Sequence, residues 1–226
     1  MVDIGANVAR VRARIAEAAL RSGRRPEDVT LVGVTKTVGL DRIREVVACG
    51  VRALGENRVQ EARAKVPEVP GVTWHLVGSL QRNKAKEAVR LFEVIHSVDS
   101  LALAEELDRR SAEAVGRTPV EILLQVNISG EPQKHGVPPE EAPGLVAQAQ
   151  RLAGVKVRGL MGMAPLVGHP DEARPYFRRL RELRDRVAEA LPGSGATGLS
   201  MGMTDDFEVA IEEGATMVRV GRALFA

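Results

Sequence analysis

The stretch TLVGVTK at residues 30–36 decides which fold and which chemistry we expect of this chain. Its length and its β-branched and aliphatic residues are typical of a buried strand, and it ends on Lys36. Only six of the 32 basic residues are lysines, and an amine, unlike a guanidinium, can lose its proton and attack a carbonyl carbon. At the mouth of an apolar strand we expect partial desolvation, which favours the neutral nucleophile. The alternative is a lysine that simply extends from the strand end into solvent.

Segments with the patterns of strands and helices alternate along the whole chain. Aliphatic runs predict strands at 30–36, 51–54, 74–78, 94–98, 120–128, 155–161, 197–200 and 217–220. Apolar residues at helical spacing predict helices at 4–19, 41–49, 58–66, 83–92, 100–115, 140–152, 171–191 and 205–213. Local signals support some of these ends: Ser100 as an N-cap, Gly50 as a C-terminal cap, and Asp205 and Asp206 in the positive first turn of the last helix.

Eight strands that alternate with helices predict an α/β fold, with a parallel sheet closed into a single (β/α)8 TIM barrel. A doubly wound open sheet is the competing architecture. The barrel is favoured because little chain follows the final strand, and the extra N-terminal helix can cover that strand's outer face. No linker, low-complexity tract or repeat interrupts the pattern, so we expect residues 1–226 to form one domain.

The composition restricts the classes of function. The formal net charge is +2 and aromatic residues make up 3% of the chain, so we expect neither a strong field for nucleic acid nor a base-stacking surface. No apolar run is long enough to span a membrane, no signal peptide is recognisable, and the single cysteine, Cys49, cannot form an internal disulfide. The histidines lack the spacing of a metal site. These features predict a cytoplasmic protein, and we expect a monomer.

In such barrels, function lies at the C-terminal ends of the strands. The predicted strands place there Lys36, Asn57, Asn127 and Ser200, and also the segments 75–79, 161–163 and 219–222, which begin at His75, Met161 and Arg219. The loops after the last two strands, LSMGMT at 199–204 and VRVGR at 218–222, each offer a glycine for close backbone approach, and the first adds hydroxyl groups. These features are typical of a phosphate site, although ordinary glycine turns have the same composition.

A carbonyl-reactive lysine beside a phosphate site suggests pyridoxal 5′-phosphate (PLP) as the cofactor. The first and last strands become neighbours when the sheet closes, which would bring Lys36 next to both loops. Arg219 lies within the apolar strand 217–220, where a cation is costly unless it has a partner. It would either face the pyridine nitrogen of PLP and keep that nitrogen unprotonated, or form an ion pair with an acid in the barrel core.

Seven blocks of sequence, in order along nearly the whole chain, carry a resemblance to a known family. They are VTKT (34–37), GENRVQE (55–61), WHLVGSLQRNK (74–84), QVNI (125–128), GLM (159–161), LSMGMTDD (199–206) and VRVGRALF (218–225). In these blocks the chain resembles the YggS/PROSC family of pyridoxal phosphate homeostasis proteins. That family shares its barrel with the N-terminal domains of alanine racemase and of bacterial-type ornithine decarboxylases.

The resemblance implies roles for the residues that match the cofactor-binding motifs. Lys36 is implied to form a Schiff base with the cofactor aldehyde, and Ser200 is implied to bind the phosphate together with the backbone around Gly221 and Arg222. Arg219 is implied to face the pyridine nitrogen.

Other positions are implied to form the wall and entrance of the same pocket. Asn57 and His75 fall where the family's pocket wall lies, and Lys134 resembles a second lysine near the entrance. The chain departs from the family at Arg58, where relatives often have tyrosine, and at Leu76, which is usually aromatic or methionine. These departures affect the expected pocket wall rather than the lysine or the phosphate site.

Cofactor binding alone does not imply catalysis. Racemisation needs a second base on the opposite face of the substrate, and the only tyrosine, Tyr176, falls in the long surface helix. An arginine at the pyridine nitrogen also weakens the cofactor as an electron sink, and no covering domain is expected to exclude water. The sequence therefore favours a non-catalytic PLP carrier or buffer, with PLP-dependent apoenzymes as possible recipients.

Two other functions remain open at this point. A small PLP-dependent amino-acid racemase, or a related enzyme, would have to use His75, His135, Cys49 or Lys134 as its second base. A protein that acts only through a protein partner could use the charged helix 171–191 as its docking face, although a solvated barrel helix explains that pattern better.

Overall fold

The chain forms a closed barrel of eight parallel strands in the computed structural model, which describes residues 2–114, 119–131 and 133–226. The strands pair in sequence order, and the last pairs with the first. They are β1 (Thr30–Val34), β2 (Ala53–Glu56), β3 (Thr73–Leu76), β4 (Val94–Val98), β5 (Val120–Gln125), β6 (Val155–Met161), β7 (Gly198–Ser200) and β8 (Met217–Val220). The predicted (β/α)8 barrel is confirmed, and the open sheet is excluded.

Helices surround the barrel on its outer face. In the described part of the chain they are α1 (Ile4–Arg21), α2 (Leu40–Ala48), α3 (Val59–Lys65), α4 (Ala85–Leu91), α5 (Leu101–Glu113), α6 (Ala142–Ala149), α7 (Arg174–Ala190), α8 (Phe207–Glu212) and α9 (Arg222–Phe225). The extra N-terminal helix α1 contacts α8 and α9 on one side and α2 on the other, so it covers the sheet beside β8 and β1 as predicted. None of the described helices is long and apolar enough to cross a membrane.

Two layers of apolar side chains follow from the alternation of residues along each strand. The main core lies between the sheet and the helices, where Val8, Val11 and Ile15 of α1 pack with the outward residues of the strands. A smaller cluster fills part of the barrel interior and comes from six different strands: Val32, Ala53, Val94, Leu123, Met161 and Met217. Polar residues at inward positions therefore lie inside the barrel, where they need partners from other strands.

Several predicted boundaries are wrong, and the pairing of neighbouring strands explains the differences. β1 pairs with β2 only as far as Val34, so Lys36 lies in the following turn rather than in the strand. β2 begins at 53 instead of 51, and β5 ends at Gln125 instead of 128 because the chain turns to pair Val126 with Val137. α8 begins at Phe207, so the two aspartates precede the helix instead of lying in its first turn.

The predicted helix caps are confirmed. Gly50 follows α2 with φ of +84°, a conformation that favours glycine, and its N–H donates to the carbonyl of Val47 at 2.9 Å. The hydroxyl of Ser100 accepts from the N–H of Leu103 at 3.3 Å, so Ser100 is the N-cap of α5. The predicted end of that helix, at 115, lies outside the described residues.

Candidate functional site

Lys36 lies in the turn that follows β1, at the C-terminal end of the barrel. Its side chain is exposed, so the partial desolvation expected from the sequence is not found. The next residue, Thr37, has φ of +60°, in the left-handed region that non-glycine residues rarely adopt. The Thr37 hydroxyl donates to the carbonyl of Lys36 at 2.6 Å, and this contact holds the turn in an otherwise unfavourable conformation.

A buried ion pair fixes the residue immediately before Lys36. The carboxylate of Glu56, which is fully buried at the end of β2, accepts from Nζ of Lys65 at 2.7 Å and from the Thr35 hydroxyl at 2.5 Å. Lys65 also donates to the carbonyl of Thr35 at 2.8 Å. Both charged groups therefore converge on Thr35, and they attach the turn that carries Lys36 to β2 and α3.

Lys36 forms part of the wall of a cleft of about 300 Å³, a volume at the lower end of the range for small-molecule sites. Residues at and beyond the C-terminal ends of six strands line it: Val34, Lys36, Asn57, Val77, Met163, Leu166, Met203, Thr204, Asp205, Arg219, Gly221 and Arg222. Asp205 and Arg222 form an ion pair at its edge. The cleft thus combines a free amine, cationic groups, a hydroxyl and an apolar wall.

Arg219 lies almost fully buried on the inner side of this cleft, with 5% of the residue exposed. Its Nη1 donates to the carbonyl of Ser200 at 2.8 Å and to the hydroxyl of Ser200 at 2.6 Å, and its Nη2 donates to the carbonyl of Gly162 at 3.3 Å. Burial lowers the pKa of Arg219 to about 10, an effect that the negative charge of Asp206 opposes, so the group stays charged at neutral pH. These partners are neutral oxygens, and the described contacts of Arg219 include no direct ion pair with an acid.

Two buried histidines continue the contacts of Arg219 through the barrel interior. The Ser200 hydroxyl lies 2.8 Å from Nδ1 of His96 on β4, and Nε2 of His96 lies 2.8 Å from Nδ1 of His75 on β3. Burial, with a smaller contribution from the charge of Arg158, lowers the pKa of His75 to about 4, and burial also lowers the pKa of His96 well below its usual value. Both imidazoles are therefore neutral at pH 7. We call Arg219, Ser200, His96 and His75 the interior chain.

The structure brings most of the predicted cofactor residues together. Five of them line the cleft: Lys36, Asn57, Arg219, Gly221 and Arg222. Ser200 is fully buried, and its hydroxyl is already engaged by Arg219 and His96. His75 and Met161 lie at inward positions of β3 and β6 and do not line the cleft; His75 faces a cavity at the opposite end of the barrel instead. The reason is the position along the strand: His75 lies before the end of β3, not after it.

The other positions named from the resemblance, Lys134, Arg58 and Leu76, lie away from the cleft. Lys134, in the loop after β5, pairs with Glu131 at 2.6 Å and is not part of the cleft lining. Arg58 is exposed before α3 and borders a separate depression, and Leu76 is fully buried on the outward face of β3. The two departures from the family pattern therefore do not change the described lining of the cleft.

Sequence reasoning missed two kinds of site residue. Leu166 lines the cleft from the loop after β6, where strand periodicity gives no information, and it is almost fully exposed; Thr204 and Met163 line it from segments that the sequence already indicates. His96 has no titratable group within two residues of it in sequence, so the local pattern gives it no role. Its partner could have been found from alternation, since His75 and His96 occupy inward positions of adjacent strands.

None of the residues considered as the second base of an enzyme lines the cleft in the described structure. His135 is exposed in the loop after β5, Cys49 is half-buried at the end of α2, and Tyr176 packs on α7 against the outer core. The described residues also contain no group of three histidine, cysteine or acidic side chains that could hold a metal ion.

Comparison with known proteins assigns this barrel to a class. The sequence model of the family described as "Alanine racemase, N-terminal domain" matches residues 6–226. The fold also resembles a solved D-threonine aldolase from Filomicrobium marinum, with a TM-score of 0.74 at 20% identity over 95% of this chain and 60% of that one. The chain is therefore an alanine racemase N-terminal-domain barrel, in which the lysine turn after β1 and the loops after β7 and β8 form one cleft.

More similar relatives narrow the assignment. The chain is 43% identical over 224 residues to the pyridoxal phosphate homeostasis protein of Aquifex aeolicus, covering 96% of this chain and 95% of that one. It is 41% identical to the protein of the same name from Pseudomonas aeruginosa, covering 100% and 96%. The structure of PipY from Synechococcus elongatus with PLP bound superposes with a TM-score of 0.85 at 41% identity, covering 99% and 100%. The chain belongs to the family of pyridoxal phosphate homeostasis proteins.

Proposed function

We propose that this protein binds PLP in the cleft at the C-terminal end of the barrel and holds it through Lys36 as part of intracellular PLP homeostasis. The observation that carries the proposal is that an exposed lysine amine and a buried, charged arginine line one small cleft. The PLP bound to the similar PipY structure supports the same ligand here. In this proposal the barrel acts as a single cofactor-binding unit.

The residues of the cleft fit a phosphorylated pyridine aldehyde. Gly221 keeps the backbone accessible, since a Cβ there would lie 3.3 Å from the carbonyl oxygen of Val34 and narrow the cleft. The Thr204 hydroxyl and the backbone around Gly221 and Arg222 supply the polar groups expected around a phosphate. Because its own hydroxyl is engaged, Ser200 contributes through Arg219, which it holds against the cleft.

The bond to the cofactor needs no other reactant. Lys36 Nζ would supply the nucleophile for the cofactor's aldehyde carbon, and the aldehyde oxygen would leave as water with the two protons of the amine. Asn57 follows β2, the neighbour of β1, and the backbone of Gly78 packs so closely against it that a Cβ at Gly78 would lie 2.2 Å from the Asn57 carbonyl oxygen. The reverse reaction with water or an amine releases the cofactor, as a carrier requires.

We propose a carrier or buffer in the cytoplasm rather than a catalyst. The support is that, among the described residues, none of the second bases considered from the sequence reaches the cleft, and that Arg219 stays protonated. Facing the pyridine nitrogen, as the resemblance implies, Arg219 would keep that nitrogen unprotonated. Relatives at about 40% identity are named for PLP homeostasis rather than for a reaction. PLP-dependent apoenzymes are the proposed recipients, and we propose that the carrier is a monomer.

The test is the visible spectrum of the protein with PLP, before and after each of the twenty amino acids is added. Borohydride reduction, followed by mass mapping of the labelled peptide, identifies the residue that holds the cofactor. We expect a yellow species fixed at Lys36 and no amino acid consumed. Steady formation of the opposite enantiomer, of an amine or of a keto acid would make the protein an enzyme, and failure to take up PLP would overturn the proposal entirely.

A further inference from the structure

A second cavity lies at the opposite, N-terminal end of the barrel. It has a volume of about 760 Å³, within the range of small-molecule sites and larger than the cleft. α1, the segment before β1 and the first residues of several strands enclose it, and its deeper apolar wall is formed by Ala53, Val94 and Met217. Of the cofactor-binding residues predicted from the sequence, His75 alone lines this cavity.

His75 closes the deep end of this N-terminal cavity. The residue is 4% exposed, its Nδ1 is 2.8 Å from His96, and its Nε2 has no hydrogen-bond partner in the part of the chain that the structure describes. Because the described hydrogen bond of His75 uses Nδ1, its other ring nitrogen is left for a ligand or water in the cavity.

The protons of the interior chain can be assigned from its ends. Arg219 can only donate, so it uses a lone pair of the Ser200 hydroxyl. The Ser200 proton has one acceptor within reach among the described residues, Nδ1 of His96, so the proton of His96 lies on Nε2 and is donated to Nδ1 of His75. The remaining proton of neutral His75 is on Nε2. His75 therefore presents an N–H donor to the N-terminal cavity.

Cationic groups line the mouth of the same cavity. Three arginines line this mouth, and in the described contacts each donates only through its Nη1. The acceptors are the carbonyl of Cys49 for Arg12 at 3.0 Å, the carbonyl of Val47 for Arg52 at 2.6 Å, and the carboxylate of Glu121 for Arg158 at 3.2 Å. Their other guanidinium nitrogens remain available. Two acids, Glu27 and Glu121, also line the cavity, and Glu121 is shared by Arg158 and Lys156. The cations are in excess.

We propose that the N-terminal cavity binds a small organic anion, with a hydrogen-bond acceptor at one end on His75 Nε2–H and a carboxylate at the other end on the arginines of the mouth. The carbon skeleton between these ends contacts Ala53, Val94 and Met217. A short dicarboxylate has the required chemistry, since both of its ends accept hydrogen bonds and its middle is apolar. Arg158 lines the cavity and lies near enough to His75 for its charge to act on that imidazole, so it is the arginine to test first.

The ligand in this cavity is coupled to the cleft through the interior chain, a part of the proposal that rests on PLP binding at Lys36. An acceptor on His75 strengthens each successive donor–acceptor contact along the chain, because aligned hydrogen bonds polarise one another. The last of these contacts is the one by which Ser200 holds Arg219. The anion therefore stabilises the position of Arg219 that the cofactor uses, and by reciprocity the cofactor favours the anion.

Succinate and its uncharged diamide, succinamide, test the site without reference to PLP. Calorimetry should detect succinate but not succinamide, and the imidazole resonances of His75 should shift on binding. Arg158→Gln, at an exposed side chain that cannot disrupt the core, should weaken succinate binding at least about tenfold, as expected for the loss of a hydrogen bond to a charged group. His75→Phe should weaken it further. Arg151→Gln, at an exposed position outside the cavity, is the matched control.

Two results would overturn the site. One is the absence of succinate binding at millimolar concentrations in low salt, and the other is equal binding by the wild type and Arg158→Gln. Either result leaves the PLP proposal untouched, because the spectrum with PLP is recorded on the same protein.

The coupling has its own measurement. Saturating succinate should lower the dissociation constant of PLP by about fivefold in the wild type, the low end of known coupling energies. His96→Leu should still bind succinate through the arginines but should lose this effect. An unchanged PLP dissociation constant in the wild type would mean that the two ends of the barrel act independently.

Discussion

The two ends of the barrel differ in what forms them. The cleft at the C-terminal end is the smaller, at about 300 Å³ against 760 Å³, yet it contains the exposed amine of Lys36 and backbone from the loops after β7 and β8. The N-terminal cavity is larger, and strand residues that point inward form its deep end. Cavity size therefore does not identify the reactive end. Residues beyond the strand ends do, because loops can carry chemistry that the packed interior cannot.

The comparison also shows how the two ends are connected. His75 belongs to the N-terminal cavity and Arg219 belongs to the cleft, and the interior chain joins them through two hydrogen bonds of 2.8 Å and one of 2.6 Å. We therefore expect substitutions at the two ends to differ in the size and in the kind of their effects. Three substitutions and one change of pH measure these effects.

Lys36→Ala should have the largest effect and should be confined to the cleft. Without the amine no covalent bond to PLP forms, so borohydride should fix no label on the protein, while the remaining polar groups still retain PLP weakly. Mass mapping after reduction measures this. Lys134→Ala, which removes a lysine paired with Glu131 away from the cleft, should label like the wild type. A single labelled lysine elsewhere in Lys36→Ala would show that the nucleophile is assigned incorrectly.

Lys65→Met should cost about 3 to 5 kcal/mol of the free energy of unfolding, the usual result of leaving one member of a buried ion pair alone. The carboxylate of Glu56 is fully buried, and Lys65 at 2.7 Å is its charged partner. Urea unfolding measures the loss. Lys86→Met, at an exposed lysine of α4, is the control and should unfold like the wild type. A loss below about 1 kcal/mol would mean that the Glu56–Lys65 ion pair contributes no more to stability than an exposed ion pair on the surface does.

Acid should act through the histidines of the interior rather than through the cleft. The pKa of His75 is lowered from 6.5 to about 4, so the unfolded chain takes up a proton at a higher pH than the folded protein does. The stability that depends on neutral His75 is complete above pH 6.5. As the pH falls from there towards 4, the free energy of unfolding decreases by about 3 kcal/mol for this group alone. Urea unfolding at successive pH values measures the slope. It should become shallower in His75→Phe but not in the control His135→Gln, an exposed histidine.

The sequence predicts the barrel, its strand order and the lysine of the cleft because each depends on local pattern. Alternation of strands and helices implies the closed sheet, and β6 and β8 lie at the predicted residues. Strand ends were predicted less well. β1 stops before Lys36 because pairing with β2 ends there, and that pairing is a property of two strands rather than of one.

The site was predicted where residues follow a strand and was missed where partners come from distant strands. Lys36, Asn57 and Gly221 could be placed from position alone. The engagement of Ser200 by His96 joins β7 to β4 across the barrel, and no spacing in the sequence measures that distance. The resemblance implies that His75 belongs to the wall of the pocket, yet the depth of a residue inside a barrel also depends on the stagger between strands, which the sequence does not show.

Ser200→Ala should give the smallest effect and is the sharpest test of the connection between the two ends. Arg219 would lose the hydroxyl at 2.6 Å but keep the Ser200 carbonyl at 2.8 Å, so PLP affinity should fall by about 1 to 3 kcal/mol while the bond to Lys36 still forms. Spectroscopic titration with PLP measures the affinity. Ser97→Ala is the matched control, since the buried Ser97 hydroxyl has no hydrogen-bond partner in the described structure. If both variants bind PLP like the wild type, the Ser200 hydroxyl packs in the barrel interior without positioning Arg219. Backbone carbonyls alone then position Arg219.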